Sequence, residues 1–149
     1  MIRSFLLLVL VAAPISAQTV DTSAVTAPIR ALFDGMRQTD STVMRSAFHP
    51  DATLRTTQAR PGSEPSITET PIATFLASIA GAGVYLDEQL TDTTLHIDGP
   101  LATAWTPYRF YVGGEFSHCG VNAFTLVKTD DTWRILHVVD TRRREDCAE

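Results

Sequence analysis

The sequence predicts an α+β domain in which a strongly curved, cone-shaped antiparallel sheet is closed by N-terminal helices around an internal pocket. Three observations lead to that class. Helical spacing of apolar residues ends before Gly81. Residues 102–142 read as three consecutive strands rich in aromatic and β-branched residues, a meander broken at Gly113-Gly114 and Asp130-Asp131. The resulting order, helix, helix, strand, helix and then four long strands, gathers the helices on one side of a sheet.

Residues 1–17 carry the marks of a secretory signal peptide: Arg3, an apolar run from Phe5 to Ala13, and the small-residue stretch Pro14-Ile15-Ser16-Ala17. The run is too short to span a bilayer. No cysteine follows the expected cut, which argues against a lipid anchor. The expected product is one exported domain, 18–149, periplasmic or secreted, without stable membrane insertion.

Between 21 and 38, Val25, Ile29, Leu32, Phe33 and Met36 recur at helical spacing, with Ser and Thr residues available as caps before Pro28. Asp40-Ser41 opens a second, short helix with Val43, Met44, Ala47 and Phe48 as its apolar stripe, stopped by His49-Pro50. Residues 52–58 read as a strand and 59–65 as a loop. A third helix starts from Thr68, with Thr70 as cap and Pro71 in the first helical position. It buries Ile72, Phe75, Leu76 and Ile79 and ends at Gly81-Ala82-Gly83. One long strand, 85–97, then leads through Asp98-Gly99-Pro100 into the meander.

Two-residue turns at both breaks set the registers. Arg109 then faces His118 and Trp105 faces Asn122, while Phe124 faces His137 and Asn122 faces Val139. Side-chain alternation puts Trp105, Arg109, His118, Asn122, Phe124, Leu126, Trp133, Ile135 and His137 on one face, a mixture of aromatic and polar groups suited to a small-molecule cavity. The other face receives Thr106, Tyr108, Cys119, Val121, Val138 and Asp140. Both faces hold apolar residues, so cover is expected on both.

Without residues 1–17 the chain keeps 11 basic and 17 acidic residues, a net charge of −6, and lacks a basic stripe. This disfavours nucleic-acid binding. The cluster Arg142-Arg143-Arg144 is followed by Glu145-Asp146 and reads as a solvated strand end. The two cysteines of an exported chain either form a Cys119–Cys147 disulfide or remain free thiols. No metal-ligand spacing, phosphate loop, nucleophile elbow or dinucleotide fingerprint is present, and no metal or cofactor is expected.

Four segments, IRALFDGMRQTDSTVMRSAFHPDATL, the strand ending HIDGPLATAW, YRFYVGGEFSHCGVNAFTLVKTDDTWRI and VVDTRRRE, together resemble the nuclear transport factor 2-like superfamily on its SnoaL-like side. The last two also resemble an exported, lumazine-binding-like branch. The resemblance implies a cone-shaped, cystatin-like barrel, commonly a homodimer through the outer sheet face. Its pocket serves isomerases, dehydratases, cyclases, hydrolases or non-catalytic binders. Enzymes of the superfamily place an Asp or His there, at positions that differ between subfamilies, so no role is carried over to a residue of this chain.

His118 and His137 are candidate acid–base groups, with Asn122 and the Trp105 indole as donors to a substrate oxygen. The alternative is that both histidines satisfy backbone carbonyls or face solvent. Asp140 is a third candidate base if apolar neighbours raise its pKa, or else a strand-end residue paired with Arg134, Arg142 or Tyr108. Trp105, Tyr108, Arg109, Asn122 and Phe124 are the candidate ligand contacts. His49 reads as a helix-end residue beside Asp51. Three functions stay open: a small-molecule binder, a cofactor-free isomerase, dehydratase or cyclase, and an accessory module with a filled cone.

Overall fold

The computed structural model describes residues 21–59 and 62–147; the stretch read as a signal peptide lies outside them. Helix α1, Thr22–Gln38, begins where the Asp21 carboxylate accepts the Ser23 backbone N–H at 2.9 Å. It buries the expected Val25, Ile29, Leu32, Phe33 and Met36. Helix α2, Ser41–Ala47, is capped by Asp40, which accepts from the N–H groups of Thr42 and Val43. The strands β1 (Phe48–Gln58) and β2 (Ser66–Thr70) and helix α3 (Ile72–Ala80) come next. The chain then runs through β3 (Leu86–Leu90), β4 (Thr94–Asp98), β5 (Leu101–Val112), β6 (Glu115–Thr129) and β7 (Thr132–Thr141).

The sheet has seven strands in the order β2-β1-β7-β6-β5-β3, with β4 also paired to β5. All pairs are antiparallel except β1 with β7, which run parallel. The α+β class and the curved sheet closed by helices stand as expected, with some local differences. Residues 66–70 are not the start of α3 but a short strand that pairs with β1, and the cap of α3 is Pro71. The single strand expected over 85–97 is two. β3 pairs with Tyr108–Val112 of β5 and β4 with Leu101–Trp105, and the gap falls opposite Pro107. Pro107 has no N–H to offer that edge, and its carbonyl accepts from Thr91 at 2.9 Å.

Both meander turns have two residues, and all four occupy the left-handed region: Gly113 (φ 61°), Gly114 (φ 89°), Asp130 (φ 49°) and Asp131 (φ 57°). The pairings beside the turns match expectation, Tyr111 with Phe116 and Lys128 with Trp133. Further along, two bulges move them by one residue. Ser117 is the extra residue on β6, so Phe110 rather than Arg109 faces His118, and Trp105 faces Ala123. Leu136 is the extra residue on β7, so Val138 faces Phe124 and Asp140 faces Asn122.

The core lies between the helices and one face of the sheet, where Val25, Leu32, Phe33 and Met44 meet Phe124, Leu126, Ile135 and Val138. The expected cover on both faces is not found among the described residues. The opposite face leaves Trp105 54% and Val139 36% exposed.

Candidate functional site

At one end of this core the packing stops short of filling the cone and leaves a cavity of about 380 Å³. Its apolar wall comes from Leu32, Phe33 and Met36 of α1, Phe75 and Ile79 of α3, and Phe110, Phe124 and Val138 of the sheet. Phe33 meets Phe124 edge to face with ring centroids 6.3 Å apart. The remaining wall is polar and is built from Glu88, Tyr108, His118, Asn122, Asp140 and Arg142.

These polar groups form two small networks. The Asn122 side-chain amide donates to Glu88 Oε1 at 2.7 Å. Asp140 is 4% exposed and accepts from Thr56 Oγ1 at 2.6 Å and from Arg142 Nε at 2.8 Å. Arg142, two residues further along the same strand end, is thus an expected partner that pairs with Asp140. Tyr108 donates its hydroxyl to the Thr141 carbonyl at 2.9 Å, and its ring meets the His118 imidazole edge to face at 5.8 Å. His118 also lies 5.0 Å from the Phe110 ring and has Ser117 Oγ at 3.1 Å from Nδ1. Gly120 makes room for this arrangement. A Cβ there would lie 1.8 Å from the Thr141 carbonyl oxygen and 2.9 Å from the Tyr108 ring.

The electrostatics follow from burial. Burial pushes the Glu88 carboxyl up to about 7, and the charge of Asp140 pushes the same way; the Asn122 hydrogen bond and Arg142 oppose them. Burial also raises the Tyr108 phenol, and the carboxylates of Glu88 and Asp140 add to the effect. The His118 imidazole is held below its ordinary value by burial, then by the positive charge of Arg142, against the pull of Asp140. A carboxylic acid poised near neutrality in the wall of a largely apolar chamber can give or take a proton without a cofactor. Among the described residues no three His, Cys, Asp or Glu side chains converge as a metal-binding group.

The structure brings five of the expected residues, Tyr108, His118, Asn122, Phe124 and Asp140, to the cavity. It takes three away. Trp105, Arg109 and His137 fall on the opposite sheet face, because the bulges at Ser117 and Leu136 reverse the alternation of β5 and of the end of β7 relative to β6. His137 there shares a 2.9 Å hydrogen bond with Thr53 Oγ1. Cys119 and Cys147 are joined in a disulfide. His49 belongs to β1, and its Nδ1 accepts the Asp51 N–H at 3.2 Å.

Sequence reasoning missed Glu88, Thr56 and the inward role of Arg142. Glu88 had a readable signal. It sits between Leu86 and Leu90 at strand period, a carboxyl on an apolar face. Thr56 carries no such mark.

A profile of the family described as "Putative lumazine-binding" matches residues 20–139. The chain belongs to this lumazine-binding-like family. Solved structures of proteins described as nuclear transport factor 2-like and cystatin-like share its fold. One similar structure is a nuclear transport factor 2-like protein with a cystatin-like fold from Novosphingobium aromaticivorans. Its TM-score is 0.64 at 17% identity, over 85% of this chain and 84% of that one. A second, named a "putative dehydratase from the NTF2-like family" of Streptomyces avermitilis, gives a TM-score of 0.60 at 18% identity, over 84% and 99%. A third is the beta subunit of a "putative aromatic-ring-hydroxylating dioxygenase" of N. aromaticivorans, with a TM-score of 0.68 at 13% identity, over 87% and 93%. No curated protein sequence matches with significance. At these identities the likeness shows the fold, so the chemistry of this lumazine-binding-like chain rests on its own cavity.

Proposed function

We propose that this chain is an exported small-molecule-binding protein whose ligand enters the cone between α1, α3 and the sheet. The carrying observation is the cavity itself. At about 380 Å³ it matches the size of small-molecule sites, and an aromatic and aliphatic wall meets a cluster of oriented polar groups at one end. Tyr108, Asn122 and Phe124 are the proposed ligand contacts, with Glu88 added. An accessory module with a filled cone fits the open chamber less well. The family description points to lumazine-like heterocycles as first compounds to try.

Native mass spectrometry of the secreted protein, mild enough to keep bound molecules, tests the reading. A small-molecule adduct is expected, absent from a V138W variant in which the cavity is filled. Absence of any adduct, together with no binding of lumazine or of neutral aromatic probes, overturns it.

A second reading, acid–base catalysis, is favoured by one observation: a carboxyl, Glu88, shifted to about 7 inside an apolar chamber. Glu88 is the proposed proton carrier, with His118 and Asp140 beside it. His137, on the far face, is not proposed for this role. Export is supported by the leader-like residues 1–17 and by the Cys119–Cys147 bond. N-terminal sequencing of protein recovered outside the cytoplasm is expected to start at Gln18. We also propose a homodimer through the outer sheet face that carries Trp105.

A further inference from the structure

Two residues of the cavity's polar wall have a second side. His118 and Arg142 also line a second, open cleft of about 630 Å³ on the protein surface, together with Gln58, Ser117, Arg143 and Arg144. Among the described residues this cleft has no carboxylate in its lining. Three consecutive arginines thus line one cleft of a chain whose formal net charge is −5, a local reversal of sign beside the cavity's polar wall.

The arginine segment is fixed in place. Arg143 and Cys119 exchange two backbone hydrogen bonds, at 2.8 and 2.9 Å, and the disulfide to Cys147 ties the following residues to the same point of β6. Arg143 spends its Nε on the Asp146 carbonyl at 3.0 Å, and Arg142 spends its Nε on Asp140. In both, the hydrogen bonds described involve Nε and leave the terminal guanidinium nitrogens to face other groups. The field reaches inward, since the charges of Arg142 and Arg144 both act on His118.

We propose that the ligand is an amphiphile whose apolar aromatic body fills the cavity and whose anionic group, a carboxylate or a phosphate monoester, docks in the arginine cleft. Planar guanidinium groups suit both anions, which they bind through paired N–H donors. The inference rests on the binding reading given above, and it adds the charge and the direction of the ligand.

The test uses N-phenyl-1-naphthylamine, a neutral fluorophore, as reporter of the cavity, displaced by 2-naphthamide, 2-naphthoate or 2-naphthyl phosphate. An R143Q/R144Q double variant, which keeps the Asp140–Arg142 pair, is measured in parallel. One or both anions are expected to displace the reporter at roughly tenfold lower concentration than the amide, with the advantage shrinking in salt and lost in the double variant. The more effective anion identifies the group. Equal displacement by amide and anions, or an anion advantage that survives in the double variant, overturns the proposal. A reporter that binds neither protein removes the cavity reading itself and this inference with it. Unchanged reporter affinity in the double variant shows that its fold is intact.

Discussion

The Asn122 side-chain nitrogen lies 2.7 Å from Glu88 Oε1, a bond that reaches from β6 across the intervening β5 to the edge strand β3. It ties the sheet edge to the centre of the polar wall and gives the carboxyl its one described hydrogen bond. A folded-state pKa of about 7 lies above the ordinary carboxyl value of 4.5. Between those values folded Glu88 keeps a proton that the unfolded chain has lost. Its contribution to stability is therefore full below about pH 4.5 and falls as pH rises through 7. Glu88→Gln is expected to flatten this slope and, allowing for partial exposure, to be roughly 1–2 kcal/mol more stable than the parent at pH 8 and nearly equal at pH 4. Denaturant midpoints across that range decide it; parallel profiles for the two proteins refute the assignment.

Gly120 tests how tightly the polar wall is built. A methyl group there meets the Thr141 carbonyl that accepts the Tyr108 hydroxyl. Gly120→Ala is expected to cost about 2–3 kcal/mol through overpacking and to weaken binding of any cavity ligand. Thermal unfolding near the parental midpoint contradicts the close approach.

The disulfide closes a loop of sequence separation 28. Cys119→Ala with Cys147→Ala is expected to lose roughly 3–4 kcal/mol in the chain-entropy account. Alanine suits the buried Cys119 position better than serine, whose hydroxyl would be taken out of water there. Reductant is expected to bring the parent to the same denaturant midpoint as the variant. A parent indifferent to reductant contradicts the bond's contribution.

Trp105, Ala123 and Val139 form one cross-strand row on the outer face. Their exposure fits a sheet that meets a second copy of itself. Light scattering is expected to give a dimer for the parent and a monomer for Trp105→Lys, with the helical and strand signals of circular dichroism unchanged. A monomeric parent at micromolar concentration removes the proposal.

The residues expected to line the pocket divide along one physical line. His118, Asn122 and Phe124 lie on β6, whose alternation carries them together to the inner face. Counting from the turns puts Trp105, Arg109 and His137 on the inner face, and the counting fails beyond a bulge because strand period is two and one extra residue inverts a whole strand. The same inversion brings Tyr108 and Asp140 into the cavity.

The sequence by itself determined the existence of three helices, the cap at Asp40, the two-residue turns and the fold class, and it offered a single cysteine pairing. Each is written in local spacing, in turn chemistry or in a pattern that extends over most of the chain. Only the tertiary structure decided the bulges at Ser117 and Leu136, the parallel pairing of β1 with β7, the bond between Glu88 and Asn122, and the arginine cleft beside the cavity's polar wall. These depend on contacts between residues far apart in the chain, where the curvature needed to close a cone sets the register and no local pattern records it.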